Sequence, residues 1–407
     1  MSQTATRRKA RGFKEHSARV SVYLILFAAG LVVLIPFILA FFGSFKTSED
    51  ISTYPPRLLP FAPSTAEVDG NEVPLFTVTV GSFSADLAQI AGGGSAGEYR
   101  SVATNEQVVF ATEDQVRPTG ATVDVSGESR PVVEATPPGG GDPVEAYLER
   151  DRIVNTFVDP SDPSGGETYA PSENTAPVET VQFQTQNYSE VLALSRLDRS
   201  LTNTVLITIL VVVGQVLTSI LGGYAFARVR FAGRDKLFLF YLGSIMIPFV
   251  VLLIPLYRLM VTIGWVNDLV SLVIPFVFTA YGTFLMRQFF VGIPKELEEA
   301  AVIDGASRWR VLWQIFVPLS VPAIATLATF SFLYAWNSFI WPLIILDSGN
   351  LDNNVLSVAL STLGGRAADN ANLVLAGVMI AMLPPITVFL LAQRTFVENV
   401  ASSGLKG

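Results

Sequence analysis

Between Pro294 and Pro318 the chain reads PKELEEAAVIDGASRWRVLWQIFVP, a charged island set between long apolar runs. Its residue types suit docking rather than catalysis. Pro294 fits the first turn of a helix, Glu296, Glu298 and Glu299 place negative charge at the positive end of its dipole, and Gly305 offers a stop. Ser307 can cap a second helix in which Trp309, Leu312, Trp313 and Phe316 recur at i, i+3, i+4 and i+7. Two short helices meeting at a bend are therefore expected. Small Ala300 and Ala301 let a partner approach closely and Glu299 offers it a charge, the logic of a helix laid in a groove. An amphipathic pair resting on a bilayer with no partner fits the same pattern.

Elsewhere the groups that drive reactions are scarce. The chain has no cysteine, which rules out thiolate nucleophiles and thiolate metal sites, and its one histidine, His16, lies in a basic N-terminal tail. There is no G-x-x-x-x-G-K-[ST] run, and no lysine directly follows a glycine, so this chain cannot form that phosphate-cradling loop. Glu128, Glu134, Glu145 and Asp151 could supply the paired carboxylates of a glycoside hydrolase, although acid-rich external segments are usually solvated surface. No metal site is expected.

The elements that must carry the island belong to a membrane protein. Of 407 residues half are apolar, and the mean hydropathy is +0.46. Residues 1–19 form a basic tail with Arg7, Arg8, Lys9, Arg11, Lys14 and Arg19. Residues 20–42 are uncharged and long enough to span a bilayer. Basic flanks stay cytoplasmic, which places the N-terminus inside. That apolar run is too long for a signal-peptide core and no A-x-A site closes it.

Residues 43–200 change to Pro, Gly, Thr, Ser, Asp and Glu. Alternating runs such as Phe76–Val80 and Thr122–Val125 predict strands, and Gly92-Gly93-Gly94, Pro137–Gly141 and Asp159–Pro163 read as turns or linkers. Nearly all the surplus acid lies here, and the remainder is mildly basic, which argues against nucleic acid as a partner. Apolar segments then follow at Leu201–Phe226, Leu237–Val261, Leu269–Phe290, Val321–Leu346 and Leu373–Ala392. Arg228, Arg230, Arg234 and Lys236 pin the turn after the first of these to the cytoplasm. The predicted fold class is an all-α polytopic membrane protein of six transmembrane helices, with a β-rich extracytoplasmic domain inserted between the first and second. Residues 201–396 form the main transmembrane domain with a cytoplasmic loop at 291–317, and 397–407 a cytoplasmic C-terminal tail.

Glu299-Ala300-Ala301, then Gly305, Ile315 and Pro318, resemble the "EAA" loop of ABC-importer permeases; only Val317 departs, where that family usually has Leu. Tyr224–Arg228, Ile254–Tyr257, Arg287–Phe290 and Trp336–Pro342 are similar to the carbohydrate-uptake, maltose-type class, over most of Asn187 to Gly407. Tyr54-Pro55-Pro56 and Asn187-Tyr188 resemble the two ends of that class's first external connection, which makes about Ser64 to Val181 an insertion.

The resemblance implies a permease subunit of an ATP-driven importer that moves a disaccharide or oligosaccharide, with an α-glucoside favoured, across the cytoplasmic (inner) membrane. Its implied partners are ATP-binding cassette subunits, a second homologous permease, an extracytoplasmic sugar-binding protein, the sugar and membrane lipid. ATP and Mg would be used by the partner ATPase, with no cofactor on this chain. By the same resemblance Glu299, Ala300, Ala301, Asp304 and Gly305 couple to the ATPase. Trp336, Asn337 and Trp341 are candidates for the sugar path, and Gly349, Gly364 and Gly365 for a loop that probes the binding protein. Interfacial tryptophans, a self-satisfied asparagine and a plain surface loop are the alternatives for these last two groups. Two other functions remain: an ion-coupled secondary transporter, disfavoured because the span interiors lack ionisable residues, and a membrane-anchored glycoside-binding or hydrolysing domain.

Overall fold

The computed structural model describes the backbone of residues 2–404 except 140, 348 and 366, and side chains except those of 2–18, 195, 367–369 and 394–404. The basic side chains of the N-terminal tail other than Arg19, together with His16, Arg394 and the last three residues of the C-terminal tail, therefore lie outside the described residues. The chain divides into two compact units, residues 1–51 with 184–407, and Ser52–Phe183.

The first unit is helical. Helix α1 (Ser2–Gly43) leads to a short α2 (Ser48–Ser52), and the chain resumes with α3 (Gln186–Ala193) and the 32-residue α4 (Leu197–Arg228). Next come α5 (Arg234–Gly243), α6 (Phe249–Ile263), α7 (Ala280–Val291), α8 (Lys295–Ile303), α9 (Arg308–Val311) and α10 (Val317–Leu319). The unit ends with α11 (Val321–Trp336), α12 (Ile340–Ile345), α13 (Leu356–Gly364) and α14 (Ala367–Gly404).

Five segments are long and apolar enough to cross a membrane: Arg19–Gly43, Leu197–Arg228, Leu269–Val291, Val321–Ile345 and Asn370–Gln393. The stretch read as one span at Leu237–Val261 is instead two helices bent by 98°. Pro248 sits at the break in extended conformation, with no N–H to continue the ladder, whereas Pro255 is absorbed inside α6. Counting that pair as a single span raises the number from five to six.

Small residues set the helix spacing. A Cβ on Gly223 would lie 2.7 Å from Met286 Cβ and 3.0 Å from Arg287 N, so α4 and α7 meet backbone to backbone. Near the start of the helical unit's second stretch a buried polar knot joins three elements. Asn187 Nδ2 donates to Ser44 O and Lys46 O, both at 2.9 Å, and Asn372 Nδ2 donates to Asn187 Oδ1 at 3.3 Å. Ser44 Oγ and Tyr188 OH are 2.7 Å apart, and Lys46 pairs with Asp50 at 3.2 Å in nearly complete burial. Buried charge is tolerated because it is paired and hydrogen-bonded.

The second unit is the β-rich domain expected from composition, and its compact part is narrower than residues 43–200. Its strands are β1 (Phe61–Pro63), β2 (Thr65–Val68), β3 (Asn71–Val80), β4 (Phe83–Ser101), β5 (Gln107–Ala111), β6 (Arg117–Val125), β7 (Glu128–Ala135), β8 (Val144–Val158), β9 (Thr168–Ala170), β10 (Thr175–Pro177) and β11 (Glu179–Val181). The main sheet runs β10-β3-β4-β8-β7-β6, with β2, β5 and β9 on its flanks and every pairing antiparallel. Val78, Val80, Leu87, Phe110, Val154 and Phe157 form its core.

Gly92-Gly93-Gly94 does not break this domain. It lies inside β4, where the register against β8 shifts between Gln89 and Gly94, and Gly93 has φ +80°. Glycine here marks bulges in a long strand rather than a turn between two. The unit carries 20 acidic residues against six arginines and no lysine, a net charge of −14. β1 pairs with β11 in a separate ribbon, with Phe61 opposite Val181 and Arg57 bonded to Glu179.

Candidate functional site

The helix pair expected at Pro294–Pro318 is present. Pro294 serves as the N-cap of α8 rather than its first turn, with ψ at 136°. Gly305 stops the helix at φ +80°, and Ala306 N closes the end by donating to Ala301 O at 2.9 Å. Ser307 Oγ caps α9 by accepting from Arg310 N at 3.3 Å.

One expectation fails. Leu312 and Phe316 are buried and Trp313 is half-buried, but Trp309 is 62% exposed, its ring centre 5.6 Å from that of Trp313 in an edge-on arrangement. The cause is a π turn at Leu312–Phe316, which inserts an extra residue into the helical repeat and rotates the preceding turn off the buried stripe.

The two sides of α8 differ in kind. Glu299, Ala300, Val302, Ile303, Asp304 and Gly305 are exposed, Ala301 is half-buried, and Ile303 is exposed to 85%. Glu298 turns inward, and its carboxylate lies 3.5 Å from Arg228 Nη1. Arg228, the last residue of α4, also donates through Nη2 to Phe290 O at 2.7 Å and to Ile293 O, and its guanidinium lies 5.0 Å from the centre of the Phe316 ring. Phe316 in turn packs edge-on against Tyr224 and Phe290. Arg287, in α7, reciprocates by donating to Phe226 O at 3.3 Å and stacking on Phe238. Sequence reasoning placed Arg228 in the basic turn and in the Tyr224–Arg228 run, and Glu298 in the helix dipole, without linking the two. Their separation of seventy positions carries no local periodic signal.

Trp336 and Trp341 line one small cavity, while Asn337 lies with Trp336 on a second, more open one. Trp341 is 1% exposed, donates to Ser271 O at 3.0 Å and packs edge-on against Phe249 and Phe276. Trp336 is buried, donates to Ala381 O at 3.1 Å and stacks on Phe332. Asn337 is exposed, but its amide donates back to Leu333 O in its own helix. Both indoles thus join helices, and their N–H groups are occupied.

A more open surface lies at the break between α5 and α6, a cleft of ≈ 680 Å³ whose lining includes Gln215, Phe278, Tyr281, Phe330, Ser331 and Tyr334. Gln215 Nε2 donates to Phe276 O at 2.7 Å at its edge. Aromatic faces beside amide and hydroxyl groups suit a polyhydroxylated solute. The proline at the break was the signal available in the sequence.

The segment from Asp347 to Asn372, expected as a polar loop, is largely packed. Gly349 N donates to Asp347 Oδ1, but α13 follows with Leu356, Val358, Ala359 and Leu363 buried, and Leu356 N donates to Thr204 Oγ1 at 2.8 Å. Gly364 and Gly365 lie at the far end of that helix, so it separates them from Gly349. The apolar LSVALSTL run forms the helix because its buried residues recur with helical spacing.

In the β-rich unit Glu134 sits opposite Glu145 on neighbouring strands, both exposed, and Asp151 is exposed. Glu128 pairs with Arg130 at 3.3 Å. The buried carboxylate is another one, Glu98, held by Arg100 and Arg150 at 3.3 and 3.0 Å. Burial first, then the charges of Glu113 and Asp151, raises the pKa of Tyr99. Among the described residues no group of three or more His, Cys, Asp or Glu could hold a metal ion.

Several apolar spans with a capped amphipathic helix pair hung between two of them define a polytopic permease-type membrane protein. The chain belongs to the family of binding-protein-dependent transport system inner membrane components, whose profile matches residues 215–401. The arabinooligosaccharides transport system permease protein AraQ of Halalkalibacterium halodurans is 37% identical over 205 residues, 50% of this chain and 73% of that one. The sn-glycerol-3-phosphate transport system permease protein UgpE of Pectobacterium atrosepticum is 36% identical over 203 residues, 50% and 72% of the two chains. Among solved structures, a chain of a bacterial ABC transporter involved in the import of the acidic polysaccharide alginate aligns with 25% identity and a TM-score of 0.46, covering 54% of this chain and 80% of that one.

Proposed function

We propose that the chain is one permease subunit of an ATP-driven importer that brings a disaccharide or oligosaccharide across the cytoplasmic membrane. The bent α5–α6 pair counts as one of six spans, both termini are cytoplasmic, and the β-rich unit is extracytoplasmic. ATP and Mg act on partner ATPase subunits, a second homologous permease completes the path, and an external binding protein delivers the sugar. The relatives named for arabinooligosaccharides and glycerol-3-phosphate support a polyhydroxylated cargo.

The observation that carries this reading is the exposed side of α8. Glu299, Ala300, Ile303 and Asp304 present a charged and apolar face with small residues at its centre, held at a fixed angle by Gly305 and by the Ser307 cap. Such a face fits a cleft on a partner subunit. The test uses the absence of cysteine, which makes every introduced thiol unique within the chain. Glu299→Cys, co-expressed with the neighbouring transporter subunits, should cross-link to the ATP-binding subunit, and a thiol at Gly233 should not. Equal cross-linking at both positions, or none at Cys-substituted 299 in an intact complex, would remove the coupling assignment.

A further inference from the structure

We infer that Arg228 is a positioning residue that lets the coupling helix pull, as well as push, on the ends of α4 and α7; this rests on the reading that the exposed face of α8 docks on an ATPase. Four elements meet at its guanidinium. It is the last residue of α4, it donates to the carbonyls of Phe290 and Ile293 at the end of α7, it pairs with Glu298 of α8, and it lies over Phe316 of the π turn. Its side chain is 6% exposed and that of Glu298 is 24% exposed.

Apolar packing resists compression, but surfaces held only by packing separate or slide under tension. A buried guanidinium is different. Its planar fork can hold two carbonyls and a carboxylate at once, and separation from the carboxylate leaves charge in a poorly solvated place. Displacement of α8 away from the bundle is thereby transmitted to Arg228, and through the carbonyls to the end of α7. The reciprocal bond from Arg287 to Phe226 O keeps the ends of α4 and α7 moving as one body.

The clasp also has spare capacity. Arg228 Nε is buried with no hydrogen-bond partner among the described residues, and Trp313 Nε1 and Ser320 Oγ, on either side of Phe316, are in the same condition. An unpaired buried donor on Arg228 itself, with others three and four residues from Phe316 in sequence, marks an arrangement that can be exchanged for another with different pairing.

The test uses the complete importer, with its native partner subunits, in sealed vesicles, and reads uptake and ATP hydrolysis together. Glu298→Gln keeps the shape and removes the charge. Arg228→Lys keeps the charge and removes the fork. Each should lower the solute taken up per ATP hydrolysed by about tenfold, the scale of a single coupling free energy. The double variant should be no worse than the poorer single one, because both break one link. The cross-link from Cys at 299 to the ATPase should persist in all three.

A parental ratio of uptake to hydrolysis in Glu298→Gln, with the cross-link intact, would overturn the inference. So would multiplicative losses in the double variant. Loss of the cross-link in the chain carrying only Glu299→Cys is a separate result, which would bring down the docking reading and this inference with it. If an Arg228 variant does not assemble, Glu298→Gln decides alone, since its carboxylate is partly exposed.

Discussion

Replacing Asn187 by leucine should destabilise the helical unit more than any other single change in the buried polar knot. Leucine keeps the branching and the number of heavy atoms, with bulkier methyl groups in place of the planar amide, and removes the polar atoms. Three hydrogen bonds disappear: from Asn187 Nδ2 to Ser44 O and to Lys46 O, and from Asn372 Nδ2 to Asn187 Oδ1. All four residues are at most 5% exposed, so water cannot readily replace the lost partners. Three bonds at about 1 kcal/mol each, with a further charge for carbonyls left bare, give a loss of about 3–5 kcal/mol. Tyr188→Phe is the internal standard, since it removes one contact, to Ser44 Oγ, at about 1 kcal/mol. Thermal unfolding in mild detergent, followed by tryptophan fluorescence, should rank the parent first, then Tyr188→Phe, with Asn187→Leu well below both. A midpoint for Asn187→Leu equal to that of Tyr188→Phe would refute the assignment of Asn187 as the centre of the knot.

Three further outcomes follow from the geometry. Gly223→Ala should cost about 1–3 kcal/mol, because its methyl group meets backbone of α7 that cannot turn aside, while Gly30→Ala, with nothing within 4 Å, should be neutral or slightly stabilising in the same melting assay. At Gly305 the penalty comes from φ +80° and not from bulk, since no atom lies within 4 Å of a Cβ there; Gly305→Asn should therefore retain more uptake than Gly305→Ala, which carries roughly 1–2 kcal/mol of backbone strain. Trp341→Phe should lower stability by about 1–3 kcal/mol by leaving Ser271 O without its donor; normal stability with altered sugar affinity would instead return Trp341 to the transport path.

The parts of this protein that follow local rules were legible in its sequence. Gly305 stops a helix and Ser307 caps one, each for a reason contained within a few residues. The strands at Phe76–Val80 and Thr122–Val125 were likewise visible from their alternation. What escaped depended on partners distant in the chain. Glu298 and Glu299 are indistinguishable by type, and only the position of Arg228 separates the inward one from the exposed one. Gly92-Gly93-Gly94 was misread because glycine serves turns and bulges alike, and the long partner strand β8 decides between them. The π turn moved Trp309 out of a stripe that an ideal helical repeat would have kept intact. Pro248 and Pro255 carry the same local signal, yet only the first breaks its helix.

The ribbon of β1 and β11 gives the acidic unit an evolutionary freedom that the rest of the chain lacks. Its strands bind the two ends of that unit to each other, and Gln184 N donates to Phe45 O at 2.9 Å within the helical unit, so host and guest are each closed by their own hydrogen bonds. Lengthening a loop between ends already tied costs only logarithmically in entropy. The segment between residues 52 and 183 is thus free to grow, shrink or change charge without disturbing the hydrogen bonds that close the helical unit, whereas the contacts around Glu298 and Arg228 tie together four elements that cannot vary independently.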